Sequence, residues 1–192
     1  MRFAAMLKQS ELQHAFSTPG ERKIATTYDG IESVLGDSTV ALMDALKLQM
    51  REHVVHAMRK LSGNSVSPQL DEAGCIVSWL SASAPPAPNR GTESSAYHYS
   101  DWHCDKANNF EYDVTALLYL SQQDVDFGGG SLVFANATVA DTSGLGASSI
   151  VQPQPGRLVV FDAGLDSIHR VQPVEWGDRL LLSVWYSRRE VR

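Results

Sequence analysis

From Gly74 onward the chain is a series of short apolar runs: GCIVSWLS, YDVTALLYLS, SLVFAN, GRLVVFDA, HRVQPV and DRLLLSVWYSR. Each is rich in Val, Leu, Ile and aromatic residues, and Gly, Pro, Asn and Asp mark the intervals between them. That is the pattern of strands joined by turns. Almost no helical periodicity interrupts it. A region of this kind must stack two sheets or close on itself, which predicts an antiparallel sandwich, jelly roll or barrel.

One segment upstream has a different period. In 38-STVALMDALKLQMREHVVHAMRKLSG-63, Leu42, Leu46, Met50, Val54, Val55 and Met58 recur at helical spacing, and Gly63 makes a stop. One stripe is apolar and the opposite face charged, so this helix is expected to pack on an outer sheet face, with His53 and His56 on its surface. Residues 1–36 alternate between possible short helix and loop. The stretch 81-SASAPPAPNRGTESS-95 reads either as a disordered connection or as a lid over a site. No internal repeat or second core is visible. The expected organisation is one domain over 1–192, with a helical support region at 1–73 and a β core at 74–188.

Composition narrows the partners. With 192 residues, 43% hydrophobic, 20% charged and a net charge of −6, the chain suits a soluble globular protein. An acidic balance argues against a general nucleic-acid surface but leaves room for a local basic pocket. Two cysteines, Cys75 and Cys104, are too few for a disulfide framework and fit a reducing compartment. No apolar run approaches the roughly 20 residues of a membrane span, and the opening MRFAAMLKQS is too short for a secretory signal. The cytoplasm is therefore the expected compartment, with a truncated secretory-pathway or membrane-anchored domain as the alternative. Asn136-Ala137-Thr138 has the form of a glycosylation sequon, a triplet common by chance.

The chemistry gathers in 97-YHYSDWHCDKANNF-110. On a strand, His103 and Asp105 would share one face and Cys104 would take the other, so an imidazole and a carboxylate could meet one ion. A third ligand must come from elsewhere, and downstream there is a single histidine, His169, in 168-IHRVQP-173. Two histidines and one carboxylate leave coordination positions open, as in the facial triad of non-haem Fe(II) oxygenases. A closed zinc site would want more cysteine or histidine. Alone, the HxD tripeptide also suits a strand-end ion pair, and His169 a histidine hydrogen-bonded at a strand edge. Arg179 heads the apolar run RLLLSVWYSR, and a buried arginine is costly unless an anion meets it. Ser183 and Trp185 fall on its face by the period of two. The three could line a pocket for a small dicarboxylic acid. The alternative is a surface pair of Arg179 with Asp178 or Glu175.

These residues resemble the Fe(II)- and 2-oxoglutarate-dependent dioxygenases, and within them the prolyl 4-hydroxylase type. The stretch 157-RLVVFDAGLDSIHRVQPV-174 followed by 179-RLLLSVWY-186 is similar to the distal half of the oxygen-sensing prolyl hydroxylases. So is 115-TALLYLS-121 with the glycines 128–130 and SLVF to their central strands. A related group is the 2-oxoglutarate and iron-dependent oxygenase domain-containing proteins. The resemblance implies a double-stranded β-helix (jelly roll, cupin-like), mainly β with a flanking N-terminal helix. It implies Fe(II) on His103, Asp105 and His169, and 2-oxoglutarate held by Arg179 with support from the Tyr119 hydroxyl. Ser183 and Trp185 would stand beside the cosubstrate, and Leu118, Val133, Phe161 and Val184 would keep the site dry. Tyr97 and Tyr99 lie off the family's usual spacing but are candidates for the substrate pocket, with Trp102 at its entrance. The loop 81–96 stands where relatives carry a mobile covering loop, and glycines 128–130 match a structural turn.

The implied reaction consumes O2 and 2-oxoglutarate, yields succinate and CO2, and hydroxylates a substrate. A prolyl residue of a protein or peptide is the first expectation, with ascorbate stimulating turnover. Lysyl, other side-chain and small-molecule oxidation stay open, and nucleic acid is the least attractive substrate for an acidic chain. Two other readings are a non-catalytic jelly-roll module that binds a peptide or sugar, and a zinc hydrolase, which would act without oxygen. Cys104 reads as a packed thiol or as a redox-sensitive residue near the metal.

Overall fold

The computed structural model describes residues 21–25, 37–61, 63, 69–81, 100–136 and 147–189. Nine strands are numbered in chain order: β1 (Glu21–Ala25), β2 (Leu70–Ser81), β3 (Val114–Tyr119), β4 (Phe127–Gly129), β5 (Leu132–Ala135), β6 (Ala147–Val151), β7 (Leu158–Asp162), β8 (His169–Val171) and β9 (Val174–Arg188). Among the described residues one α-helix, α1, spans Asp37–Leu61 and ends two residues ahead of Gly63. The larger sheet runs β1-β2-β9-β3-β7 with β4 paired to β9, and the smaller runs β6-β5-β8. Every named pairing is antiparallel.

The six strand-forming runs in the sequence correspond to β2, β3, β5, β7, β8 and β9. Three strands carry too little apolar alternation to stand out. β6 is exposed along most of its length. β4 is built from Phe127, Gly128 and Gly129, where only a turn was expected. β1 lies within 1–36, where helix or loop was expected, and pairs along β2.

The long strand β9 is the spine of the molecule. Its register pairs Ser183 with Ile76 on β2 and with Leu117 on β3. From Arg179 to Tyr186 its residues alternate between two faces. Leu182, Val184 and Tyr186 join Met43, Met50 and Val54 of α1 in one buried cluster, together with Leu70, Cys75, Val77, Val114 and Ala116. The helix therefore covers the outer face of the larger sheet, as its amphipathic stripe predicts, and His53 and His56 are exposed. Met43 supplements the stripe read from the sequence. The opposite face packs a second cluster of Leu80, Leu117, Tyr119, Phe127, Leu132, Val171, Val174 and Leu181 between the two sheets.

The side of the sheet that each apolar residue takes corrects one expectation. Leu118 and Val184 belong to the helix face and not to the site. Val133 lies one residue out of phase with Leu132, which does line the cavity described below. A period of two makes every odd shift a change of face.

Candidate active site

His103 and His169 are brought together by backbone before any side chain is considered. They form an isolated antiparallel bridge, with the His103 amide donating to the His169 carbonyl at 2.9 Å and the reverse bond at 2.8 Å. Their ring centroids stand 4.2 Å apart. Cys104 is extended, and Asp105 then opens a short 3-10 turn, Asp105–Ala107. The expected alternation of His103 and Asp105 thus holds, although a bridge and a turn supply it and not a strand. Asp105 Oδ1 lies 3.8 Å from His103 Nε2 and 3.7 Å from His169 Nε2. The three ligand-capable atoms all lie within 4.8 Å of one another.

Their outer contacts decide which atoms face inward. His103 Nδ1 is 2.7 Å from the Asp101 carbonyl and His169 Nδ1 is 2.9 Å from the Ser167 carbonyl. A carbonyl can only accept, so each Nδ1 carries the proton and each Nε2 keeps its lone pair for the centre of the cluster. Asp105 is similarly constrained. Its Oδ2 accepts from Thr115 Oγ1 at 2.6 Å and from Trp185 Nε1 at 3.0 Å, and Oδ1 is left toward the histidines.

The cluster opens on a cavity of about 280 Å³ whose lining includes His103, Asp105, Asn108, Tyr112, His169, Arg179, Ser183 and Trp185. Ile76, Leu80, Leu117, Leu132, Val171 and Leu181 supply its apolar walls. Arg179 is 1% exposed, and its Nε donates to the Gly130 carbonyl at 2.9 Å. Gly130 has φ +66, and a Cβ there would come within 2.8 Å of the Phe127 ring and 3.0 Å of Arg179 Cδ. The glycine run is therefore more than a turn: it lets the backbone approach and seat the guanidinium.

The sequence model of the 2OG-Fe(II) oxygenase superfamily matches residues 92–187, half of the chain. The chain belongs to that superfamily. Over 98 residues it is 37% identical to 2-oxoglutarate and iron-dependent oxygenase domain-containing protein 3 of Xenopus tropicalis, a match covering 50% of this chain and 28% of that protein. Over 75 residues it is 36% identical to human prolyl 3-hydroxylase 3, covering 39% of this chain and 9% of that one. The chain thus spans little more than a quarter of the length of the first relative. Two solved structures share its fold. The non-heme alpha ketoglutarate dependent epimerase SnoN from nogalamycin biosynthesis has a TM-score of 0.56 at 16% identity, over 96% of this chain and 70% of that one. A Trichoplax adhaerens prolyl hydroxylase in complex with a hypoxia inducible factor peptide fragment has a TM-score of 0.50 at 18% identity, over 88% and 63%. The fold is the double-stranded β-helix of this superfamily, with α1 on its larger sheet.

The donor set fits the metal that the superfamily uses. Two imidazoles with inward Nε2 atoms and one carboxylate oxygen make a mixed nitrogen and oxygen set with sides left open, which suits non-haem Fe(II). Among the described residues this is the one such cluster of three or more. Arg179 and Ser183 line the same cavity, which suits a carboxylate of 2-oxoglutarate.

Not every expected residue stands where it was placed. Tyr119 is buried but is not among the cavity-lining residues, and its ring centroid is 5.3 Å from Arg179 Cζ. Its hydroxyl has no hydrogen bond of normal geometry. Burial raises the pKa of that hydroxyl, partly offset by the positive charge of Arg179 beside it and of Arg157, so it stays neutral. Trp185 lines the cavity as expected and also holds Asp105. Phe161 does not line the cavity, but its ring meets His169 edge-on with centroids 4.9 Å apart. Trp102 takes no part in the cavity lining and packs under the Arg170 guanidinium, 4.5 Å from its ring centroid. Tyr97, Tyr99 and the loop 82–96 lie outside the described residues.

Among the site residues that escaped the sequence reading are Asn108, Tyr112 and Thr115. Thr115 left a signal, the one aliphatic hydroxyl in the run VTALLYL. Asn108 and Tyr112 sit in an irregular connection where no period applies. Asp113 ties this connection down. It accepts from Lys106 Nζ at 2.6 Å and from the Arg188 amide at 2.8 Å. Burial pushes its pKa up, but the Arg188 amide and the Lys106 ammonium outweigh that and hold it below the usual range.

Proposed function

We propose that this chain is an Fe(II)- and 2-oxoglutarate-dependent dioxygenase that hydroxylates a prolyl residue of a protein or peptide. The observation that carries the reading is the convergence of His103, Asp105 and His169 on the same cavity that receives the buried Arg179. When bound, Fe(II) would supply the redox chemistry that couples O2 and 2-oxoglutarate consumption to substrate oxidation, with release of succinate and CO2.

The roles assigned to the side chains follow from their positions. His103 Nε2, His169 Nε2 and Asp105 Oδ1 hold the metal. Arg179 meets the distal carboxylate of 2-oxoglutarate with a planar fork of donors, which suits two-point binding of a carboxylate. The Ser183 hydroxyl, on the same face, adds a donor. Tyr119 borders the guanidinium and offers a neutral hydroxyl close to it. The apolar walls from Leu80, Leu117, Leu132 and Leu181 exclude water and strengthen the charge pairing. No side chain need act as a general base.

The peptide-prolyl part rests on the sequence likeness to prolyl 3-hydroxylase 3 and on the prolyl-hydroxylase character of the motifs around His169 and Arg179. Fold alone does not fix the substrate, since an epimerase shares it. No helix among the described residues is long and apolar enough to cross a membrane. The test is succinate formation from 2-oxoglutarate with Fe(II), ascorbate and O2, in the presence of proline- and lysine-containing peptides. Turnover stimulated by particular prolyl peptides, raised by ascorbate and lost in His169→Ala, is expected. Stimulation by lysyl peptides alone would replace the prolyl assignment, and no succinate from folded, iron-loaded protein would return the chain to the binding-module reading.

A further inference from the structure

Asp105 has two carboxylate oxygens and only one faces the histidines. The other is occupied twice, by a hydroxyl from β3 and an indole N–H from β9. The indole is itself seated. The Tyr112 ring lies parallel to the Trp185 ring at a 9° angle, with centroids 4.9 Å apart. Behind Tyr112 is Gly74, in the irregular stretch where the β2–β9 register shifts. A Cβ at that position would meet the Tyr112 hydroxyl at 2.8 Å, so the absence of a side chain makes the room for it. Tyr112 and Trp185 both line the cavity.

We propose that Thr115, Trp185 and Tyr112 form a positioning frame for the metal carboxylate, with Tyr112 acting through Trp185. The inference rests on the functional reading above. Thr115 and Trp185 saturate Oδ2, which confines Asp105 to ligation through Oδ1 and keeps a coordination position open that a two-oxygen carboxylate would fill. Tyr112 fixes the plane of the indole, and so the direction in which its N–H points. Because Tyr112 is also a cavity wall, as Asn108 is, a substrate that presses on it bears on the same element that orients Asp105. Nothing in this arrangement requires Tyr112 to touch the metal.

The test uses Co(II) alone as probe, added anaerobically to the full chain, with binding and visible d–d spectrum read together. Trp185→Phe keeps an aromatic ring, though a smaller one, and removes the N–H, and Thr115→Val keeps the shape and removes the hydroxyl. Each is expected to weaken Co(II) binding by about 10-fold or more, the usual cost of removing an outer partner of a ligand, and to alter the spectrum. Tyr112→Leu should move both readouts the same way by less, while Tyr112→Phe and Thr115→Ser should restore them. A far-UV spectrum and melting curve for each variant identify any that fail to fold. Wild-type affinity and spectrum in folded Trp185→Phe and Thr115→Val would overturn the frame. Equal behaviour of Tyr112→Leu and Tyr112→Phe would overturn the part assigned to Tyr112. No Co(II) uptake by the unsubstituted chain would overturn the functional reading itself, a distinguishable failure.

Discussion

Along β9 two sets of side chains, one residue out of step, are buried for different ends. Leu180, Leu182, Val184 and Tyr186 alternate with Arg179, Leu181, Ser183 and Trp185. The first set packs Leu182, Val184 and Tyr186 against α1 in an apolar cluster, where each buried aliphatic side chain stabilises the fold by about 1.5–3 kcal/mol. The second set buries a guanidinium, a hydroxyl and an indole N–H at a cavity. Burying such groups stabilises little and demands partners. Strand geometry lets one chain segment serve both ends, because a single-residue step changes the face. Stability and chemistry should therefore be separable by substitution along β9 and its neighbours.

The largest effects are expected on the cavity side. His169→Ala should lower 2-oxoglutarate turnover by more than ~10²-fold, since loss even of an outer partner to a ligand costs about 10–100-fold, while the melting temperature stays near wild type. Arg179→Met should raise the KM for 2-oxoglutarate by at least ~30-fold, the lower end for truncating a buried charge partner at about 2–5 kcal/mol. Its stability should fall little, because removing a buried charge offsets part of the loss.

Leu182→Ala is the converse. It should cost about 2–5 kcal/mol in denaturant unfolding, yet leave the KM for 2-oxoglutarate of the folded fraction unchanged. A large KM effect here would show that the two faces are coupled. The smallest effect is expected at Asp113. Its depressed pKa contributes stability that is complete above about pH 4 and is lost as pH falls through the lowered value. Asp113→Asn should therefore melt somewhat lower at neutral pH and show a shallower acid-side decline, as read from melting temperature against pH.

Much of this was legible in the sequence, and the limits are physical. The period of 3.6 located α1, and short apolar runs located the six strands with enough alternation to be seen. His103, Asp105 and His169 stood out as an HxD pair with a single downstream histidine, and Arg179 as a charge heading an apolar run, costly to bury unless an anion meets it. The structure adds that a backbone bridge, not a strand, aligns His103 with His169. Depth within the cavity was not legible: period gives a face, but not which member of that face reaches a given atom. Tyr119 shows this, lying beside Arg179 but outside the cavity lining. Thr115 and Tyr112 act through contacts across 10 and 73 residues of chain, with Asp105 and with Trp185, and only the folded register reveals them.

The proposed function requires that one cavity hold both the metal and 2-oxoglutarate. Its most direct test is the visible absorption of the anaerobic Fe(II) protein when 2-oxoglutarate is added. A metal-to-ligand charge-transfer band that grows with 2-oxoglutarate, is absent in His169→Ala, and needs much higher 2-oxoglutarate in Arg179→Met is the predicted result. No band from folded protein that has taken up Fe(II) would contradict the account.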